Sequence, residues 1–276
     1  MFQEITPHGF GIAIEEGATL YNKQSEFQLV EVRESRGFGN FLTLDGLMMC
    51  TEADEHFYHE MIAHIPLCSS KKPKNVLVIG GGDGGTVREI LKHETIENVD
   101  LCEIDGLVIE ASKQFLPTIS CKLDDPKVKI YVEDAIEFIK TKKNEYDVVL
   151  IDSTDPMGPG EGLFTEEFYT NVKNSLKKGG IVALQSESPF ANQAEIKKIY
   201  PLLKKVFKYV NPYTGPMPTY PGGYWSWAFC SNDIKKPAKA KLYRTKEIAK
   251  ISKIYNEDLH RGVFAVPNFM KELTNG

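Results

Sequence analysis

Between positions 10 and 50 apolar residues recur at every second position in short runs, as in Phe27-Gln28-Leu29-Val30-Glu31-Val32-Arg33 and Phe41-Leu42-Thr43-Leu44. That period is the mark of a half-buried strand. Asp45-Gly46 separates the second run from Leu47-Met48-Met49, and this dipeptide readily adopts the positive φ angles of a two-residue hairpin turn. Residues 1–52 therefore predict a small antiparallel β domain. The period then lengthens. Phe57, Met61, Ile62 and Ile65 form one apolar stripe of a helix over residues 53–67, followed by the linker Ser69-Ser70-Lys71-Lys72-Pro73, so residues 53–74 read as a connection.

From Asn75 onward, short apolar runs alternate with helical stripes. Strands are expected over 76–79, 99–102, 128–132, 147–151 and 181–185, and helices over 86–93, 106–115, 135–142, 166–176 and 193–207. This alternation predicts an α/β fold over residues 75–276, a Rossmann-like doubly wound and mostly parallel sheet. Asn192 followed by Glu195 resembles a capping box at the start of the last of those helices. The pattern weakens afterwards: 225–230 alternates like a strand and 246–255 like a closing helix. No internal repeat is visible.

Composition narrows the function classes. A length of 276 residues suits two units. The net charge of -5 offers no general attraction for nucleic acid or anionic lipid, but tolerates a cationic substrate. The basic runs at 71–74 and 235–241 are short and proline-interrupted, as solvated linkers are. Five scattered cysteines without a C-x-x-C pair argue against a disulfide framework and a zinc site. With no leader-like N-terminus and no apolar run near 20 residues, the expectation is a cytoplasmic protein without a membrane span.

Candidate chemistry gathers at predicted strand ends. Gly80-Gly81-Gly82-Asp83-Gly84-Gly85 follows a strand and opens a helix, where glycines let a nucleoside approach the backbone. Asp83 inside the loop would repel a pyrophosphate and attract a ligand with a cationic tail. Glu103 ends the second strand, where an acidic side chain accepts hydrogen bonds from ribose hydroxyls. Asp134 closes the third, as a ligand contact, a helix N-cap, or both. The fourth delivers Asp152-Ser153-Thr154-Asp155-Pro156, with two carboxylates suited to binding and deprotonating an amine. The glycines of Met157-Gly158-Pro159-Gly160-Glu161-Gly162 would allow the loop over 156–162 to close over a ligand. His56, His59 and His64 share a predicted helix with Glu60, but three residues separate Glu60 from His64, so the H-E-x-x-H metal motif is absent.

GGGDGG, CEID, DSTDPMGP and PTYPGG occur in an order and spacing similar to those of the spermidine synthase family. Leu44-Asp45-Gly46, Tyr58-His59-Glu60-Met61 and Asp258-Leu259-His260 extend the resemblance over most of the chain. It implies a class I methyltransferase-like form of that sheet and an aminopropyltransferase using decarboxylated S-adenosylmethionine as co-substrate, with no metal or prosthetic group, acting as a homodimer or a dimer of dimers. By the same resemblance Asp83 holds the donor's ammonium, Glu103 the ribose and Asp134 with Ala135 the adenine, with Gln28 and Pro159 also at the nucleoside. Asp152 resembles the catalytic aspartate, with Asp155 and Tyr58 as its partners. His59, Gln185, Tyr220 and Trp225 would line the amine channel. Gly222 stands where many relatives carry serine, so the acceptor stays open among putrescine, cadaverine, agmatine and a longer polyamine. Trp227 fits either core packing or the channel. Alternatives are an amine methyltransferase using the intact donor, which Asp83 disfavours, and a non-catalytic nucleoside or polyamine sensor.

Overall fold

The computed structural model describes residues 1–154 and 158–275, without the side chains of Gly158, Pro159 and Glu161. Two antiparallel sheets come first. β1 (Phe2–Ile5) and β2 (Gly11–Ile14) pair as a hairpin. β3 (Thr19–Gln24), β4 (Leu29–Ser35), β5 (Gly39–Leu44) and β6 (Leu47–Thr51) form a four-stranded meander in chain order. Asp45 and Gly46 join β5 to β6 with φ of 50° and 79°, the two positive angles a type I′ turn requires.

Helix α1 (His56–Ser69) is buried from Tyr58 to its end. It starts three residues after the expected 53 because the Thr51 hydroxyl donates to the Asp54 carboxylate at 2.7 Å, closing a turn before the first helical residue. The main sheet contains β7 (Asn75–Gly80), β8 (Asn98–Glu103), β9 (Val128–Val132), β10 (Tyr146–Asp152), β11 (Leu176–Gln185), β12 (Tyr209–Pro216) and β13 (Tyr224–Ser231). Their spatial order is β12-β13-β11-β10-β7-β8-β9. The five strands from β11 to β9 run parallel, and β13 is antiparallel to both its neighbours. Strands covered on both faces read as continuous apolar runs, as Val76-Leu77-Val78-Ile79 and Val148-Val149-Leu150 do. β12 escaped the sequence pattern because it carries Pro212 and Pro216, which an edge strand tolerates.

The remaining helices are α2 (Gly85–Ile90), α3 (Gly106–Phe115), α4 (Pro117–Ser120), α5 (Ala135–Lys140), α6 (Glu166–Ser175), α7 (Gln193–Val206), α8 (Thr245–Ala249), α9 (Glu257–Gly262) and α10 (Asn268–Asn275). Apolar residues of α1, α2, α8 and the α9 end cover one face of the large sheet. Those of α5, α6, α7 and α10 cover the other. Val30, Val32, Leu42 and Leu44 of the meander pack on Val108, Ala111 and Ile119 of α3 and α4. The chain thus has an α/β, doubly wound, mostly parallel sheet preceded by small antiparallel β structure.

Two local expectations need correction. Asn192 is the N-cap residue of α7, but its side chain makes no capping bond, so the capping box does not form. The closing helix over 246–255 stops at Ala249. Buried Glu60 accepts the backbone N–H groups of Lys253, Ile254 and Tyr255 at 2.7 to 2.9 Å, turning the chain inward where helical bonding would otherwise continue. Among the described residues no helix is long and apolar enough to cross a membrane.

Candidate active site

β7 is hydrogen-bonded to β8 on one side and β10 on the other, and the strand order reverses about it. Loops leaving such a point diverge and open a crevice at the carboxyl ends of the strands. A cavity of about 1310 Å³ lies there, walled also by the end of β1 and the β1–β2 turn and by Met48 and Met49 of β6. Every residue picked from the sequence whose side chain is described lines it: Gln28, Tyr58, His59, Asp83, Glu103, Asp134, Ala135, Asp152, Gln185, Tyr220 and Trp225. Asp155 lies outside the described residues, as does the Pro159 side chain; the expected closing loop over 156–162 falls partly there too.

The glycine loop is shaped around its neighbours. Gly80 sits at φ 76°, and a Cβ there would stand 2.2 Å from the Asp152 carbonyl oxygen across the β7–β10 register. A Cβ on Gly85 would fall 2.2 Å from the His59 ring. Between them Asp83 accepts the Gly85 N–H at 2.6 Å and lies 3.3 Å from His59 Nε2, both at Oδ1.

Two carboxylates in this crevice are tuned in opposite directions. Burial alone would push Asp83 up, but the charge and hydrogen bond of His59 outweigh it and hold the carboxyl below its ordinary value. Burial raises Asp152, and the Asp83 charge adds to the rise. Asp152 Oδ2 accepts from the Thr86 hydroxyl at 2.6 Å, and the Tyr58 hydroxyl also bonds this carboxylate. The Tyr58 phenol is held protonated by burial and by the Asp152 charge. Asp83 is thus a fixed negative charge, and Asp152 a carboxylate of increased basicity beside it.

The opposite end of the cavity is suited to a sugar and a planar base. Glu103 accepts the Gly82 and Asp105 N–H groups at 3.2 and 2.9 Å, yet burial lifts its carboxyl to about 7. Gln28 donates to Asp105 Oδ2 at 3.1 Å, and Asp105 also caps α3 through the Leu107 N–H. Asp134 caps α5, accepting the Ile136 N–H at 2.8 Å. Sequence reasoning quoted the C-E-I-D run without giving Asp105 this anchoring task, and it passed over Thr86.

Glu103 gives a testable sign. Its folded-state value lies above its ordinary 4.5, so its contribution to stability is complete below about pH 4.5 and fades as pH rises through 7. Ionising it in the apo fold costs on the order of 3 kcal/mol. Apo Glu103→Gln is expected to lose less melting temperature than wild type between pH 5 and 8. Identical losses in differential scanning calorimetry would remove Glu103 as the source.

At the third end, Gln185 donates to Ser153 O at 3.3 Å and to Glu187 Oε1 at 3.1 Å. Tyr220 presents its ring to the cavity while its hydroxyl donates to Met49 O at 2.6 Å. Trp225 stands edge-on to Tyr220 at 4.7 Å, and its buried indole N–H has no acceptor among the described residues. Gly222 has φ of 88°, the left-handed region that favours glycine, with Phe10 and Phe190 about it. Trp227 goes to the core, stacked on Tyr213 at 5.5 Å. No local pattern signals that Phe10 reaches Phe190, whose ring centroids lie 5.3 Å apart at the cavity wall.

Comparison with known proteins supplies an independent line. Residues 55–240 match the family model of the spermine/spermidine synthase domain, and residues 1–52 that of the spermidine synthase tetramerisation domain. A polyamine aminopropyltransferase of Alkaliphilus oremlandii is 51% identical over 256 residues, 92% of this chain and 90% of that protein. One from Clostridium perfringens is 46% identical over 266 residues, covering 96% and 93%. A crystal structure of spermidine synthase in complex with the transition state analogue AdoDATO superposes with a TM-score of 0.96 at 41% identity, over 99% of this chain and 94% of that one. The spermidine synthase of Thermotoga maritima gives 0.92 at 39%, with the same coverage.

Proposed function

The chain belongs to the spermine/spermidine synthase family, and from that premise we propose that it transfers an aminopropyl group from decarboxylated S-adenosylmethionine to putrescine, releasing spermidine and methylthioadenosine. The observation that carries this reading is the pair Asp83 and Asp152, one held ionised and the other made more basic, side by side in one crevice. Both reactants are polycations, and a donor with an ammonium beside its sulfonium suits this pair. An intact donor would set its carboxylate against Asp83, which disfavours the methyltransferase alternative.

In this reading Glu103 takes the ribose hydroxyls, Asp134, Ala135 and Pro159 bound the adenine, and Gln28, braced by Asp105, borders the nucleoside. Asp83 takes the donor's ammonium. The amine lies along His59, Gln185, Tyr220 and Trp225 toward Asp152, and the family resemblance alone assigns Asp155 as a further anchor. An alkylammonium with a solution pKa near 10 must lose a proton before it attacks, costing about 4 kcal/mol at pH 7. Desolvation beside the sulfonium reduces that cost, and Asp152 accepts the proton while Tyr58 orients the nitrogen. The freed lone pair displaces sulfur from the adjacent methylene, and holding both reactants in line supplies much of the remaining acceleration.

No metal or prosthetic group is required by this chemistry. The match of residues 1–52 to a tetramerisation domain supports an oligomer, a homodimer or a dimer of dimers, and a cytoplasmic setting fits an enzyme of this biosynthetic class. Incubation with decarboxylated donor and an amine series tests the acceptor. Putrescine is expected to show the highest kcat/KM by mass-detected product; a clear preference for cadaverine or agmatine would reassign it within the same chemistry.

A further inference from the structure

We propose that Glu55 is a positioning residue for this reaction: anchored by Arg88, it holds His59 against Asp83 and so fixes the direction and charge of the carboxylate at the donor's edge. The inference rests on the reading of Asp83 as the ligand of the donor's ammonium. Glu55 occupies the N-cap position of α1 but makes no capping bond. Its buried carboxylate turns inward instead, 2.6 Å from His59 Nδ1, and accepts Arg88 Nη2 at 2.9 and 2.7 Å. Arg88 is itself fixed, donating through Nε to Glu89 at 2.9 Å and through Nη1 to Thr118 O at 2.9 Å. His59 Nε2 then faces Asp83 Oδ1 at 3.3 Å.

An imidazole with a carboxylate at each nitrogen satisfies both only as the doubly protonated cation, because ionised carboxylates accept and cannot donate. The result is a buried row of alternating charge, Glu89, Arg88, Glu55, His59 and Asp83. Gly85 leaves the ring its place, since any Cβ there would overlap it. Among the described residues both contacts to Asp83 fall on Oδ1, which leaves Oδ2 for an incoming cation. Burial opposes the imidazolium, but the charge of Asp83 and the hydrogen bonds that the ring donates to Asp83 and Glu55 lift His59 well above its ordinary value. Among the described residues the other titratable groups around this site are Tyr58 on α1, Arg88 on α2, Asp152 on β10, Cys50 on β6, Asp54 before α1 and Tyr220 before β13. Removing Glu55 takes away one of the two anions that hold the proton on His59. Above neutral pH the ring then loses that proton and Asp83 loses its counter-charge.

The test is Glu55→Gln in the full-length enzyme, with two readouts. In histidine-labelled apo protein, NMR should find His59 as an imidazolium from about pH 6 to 8 in wild type and titrating within that range in the variant. In turnover, the variant lacks one anion of the row while His59 keeps its proton, so its kcat/KM for the decarboxylated donor relative to wild type should be lowest near pH 6 and recover about tenfold by about pH 8.5 as the ring loses that proton, chiefly through KM. Glu55→Asp, which keeps the charge but draws it back from Nδ1, is expected to show the same trend at about a third of the size, and serves if the glutamine variant is unstable. A flat ratio across pH, or a His59 that is neutral in wild type at pH 7, overturns the proposal. Should wild type not transfer an aminopropyl group, the proposed function falls while the imidazole titration still decides the hold of Glu55 on His59.

Discussion

Asp152→Asn is expected to lower turnover by about 10²–10⁴-fold while leaving nucleoside affinity nearly unchanged. The asparagine is isosteric, and its carbonyl oxygen can still accept from Thr86, which now stands 2.6 Å from Oδ2. What it cannot do is take a proton. In wild type, burial and the neighbouring Asp83 charge raise the basicity of Asp152, which brings it closer to that of the amine it must deprotonate. Rapid-quench single turnover at saturating diamine, with a parallel titration of methylthioadenosine, separates the two effects. Near-normal turnover in the variant would refute the base assignment. Loss of nucleoside affinity alone would make Asp152 a binding residue.

Asp83→Asn is expected to narrow the affinity gap between decarboxylated and intact S-adenosylmethionine by about 10–100-fold. Asparagine can still accept the Gly85 N–H, so the loop keeps its turn. Its neutral amide neither attracts the ammonium of one donor nor repels the carboxylate of the other. The wild-type side chain stays ionised despite burial because His59 stands against it, and the discrimination therefore resides in a charge and not in shape. Calorimetric titration of both donors into wild type and variant reads the ratio directly. An unchanged ratio would place donor discrimination elsewhere.

The sequence exposed the parts of this site that are fixed locally. Strand ends are visible as breaks in apolar runs, so Glu103, Asp134 and Asp152 could be placed at one sheet edge before any coordinates. Asp134 also turned out to be the N-cap of α5, the second of its two suggested tasks. Less visible were contacts that depend on distant segments meeting. Asp105 braces Gln28 across 77 positions, and Thr86 reaches Asp152 across 66. Phe10 meets Phe190 only because the β1–β2 hairpin folds over the cavity. The capping box at Asn192 shows the converse, a correct local motif left unused. Helix 246–255 was cut short because Glu60, nearly 200 positions earlier, captures three backbone N–H groups. Local propensity yields when a buried charge offers the backbone a better partner.

The central claim is that the crevice between β7 and β10 moves an aminopropyl group and not a methyl group. Its most direct test is multiple-turnover incubation of the protein with putrescine and either donor, with nucleoside and amine products weighed by mass spectrometry. The account predicts equimolar methylthioadenosine and spermidine from the decarboxylated donor, and negligible turnover of the intact one. Formation of S-adenosylhomocysteine with a methylated amine, or no turnover with either donor, would contradict it.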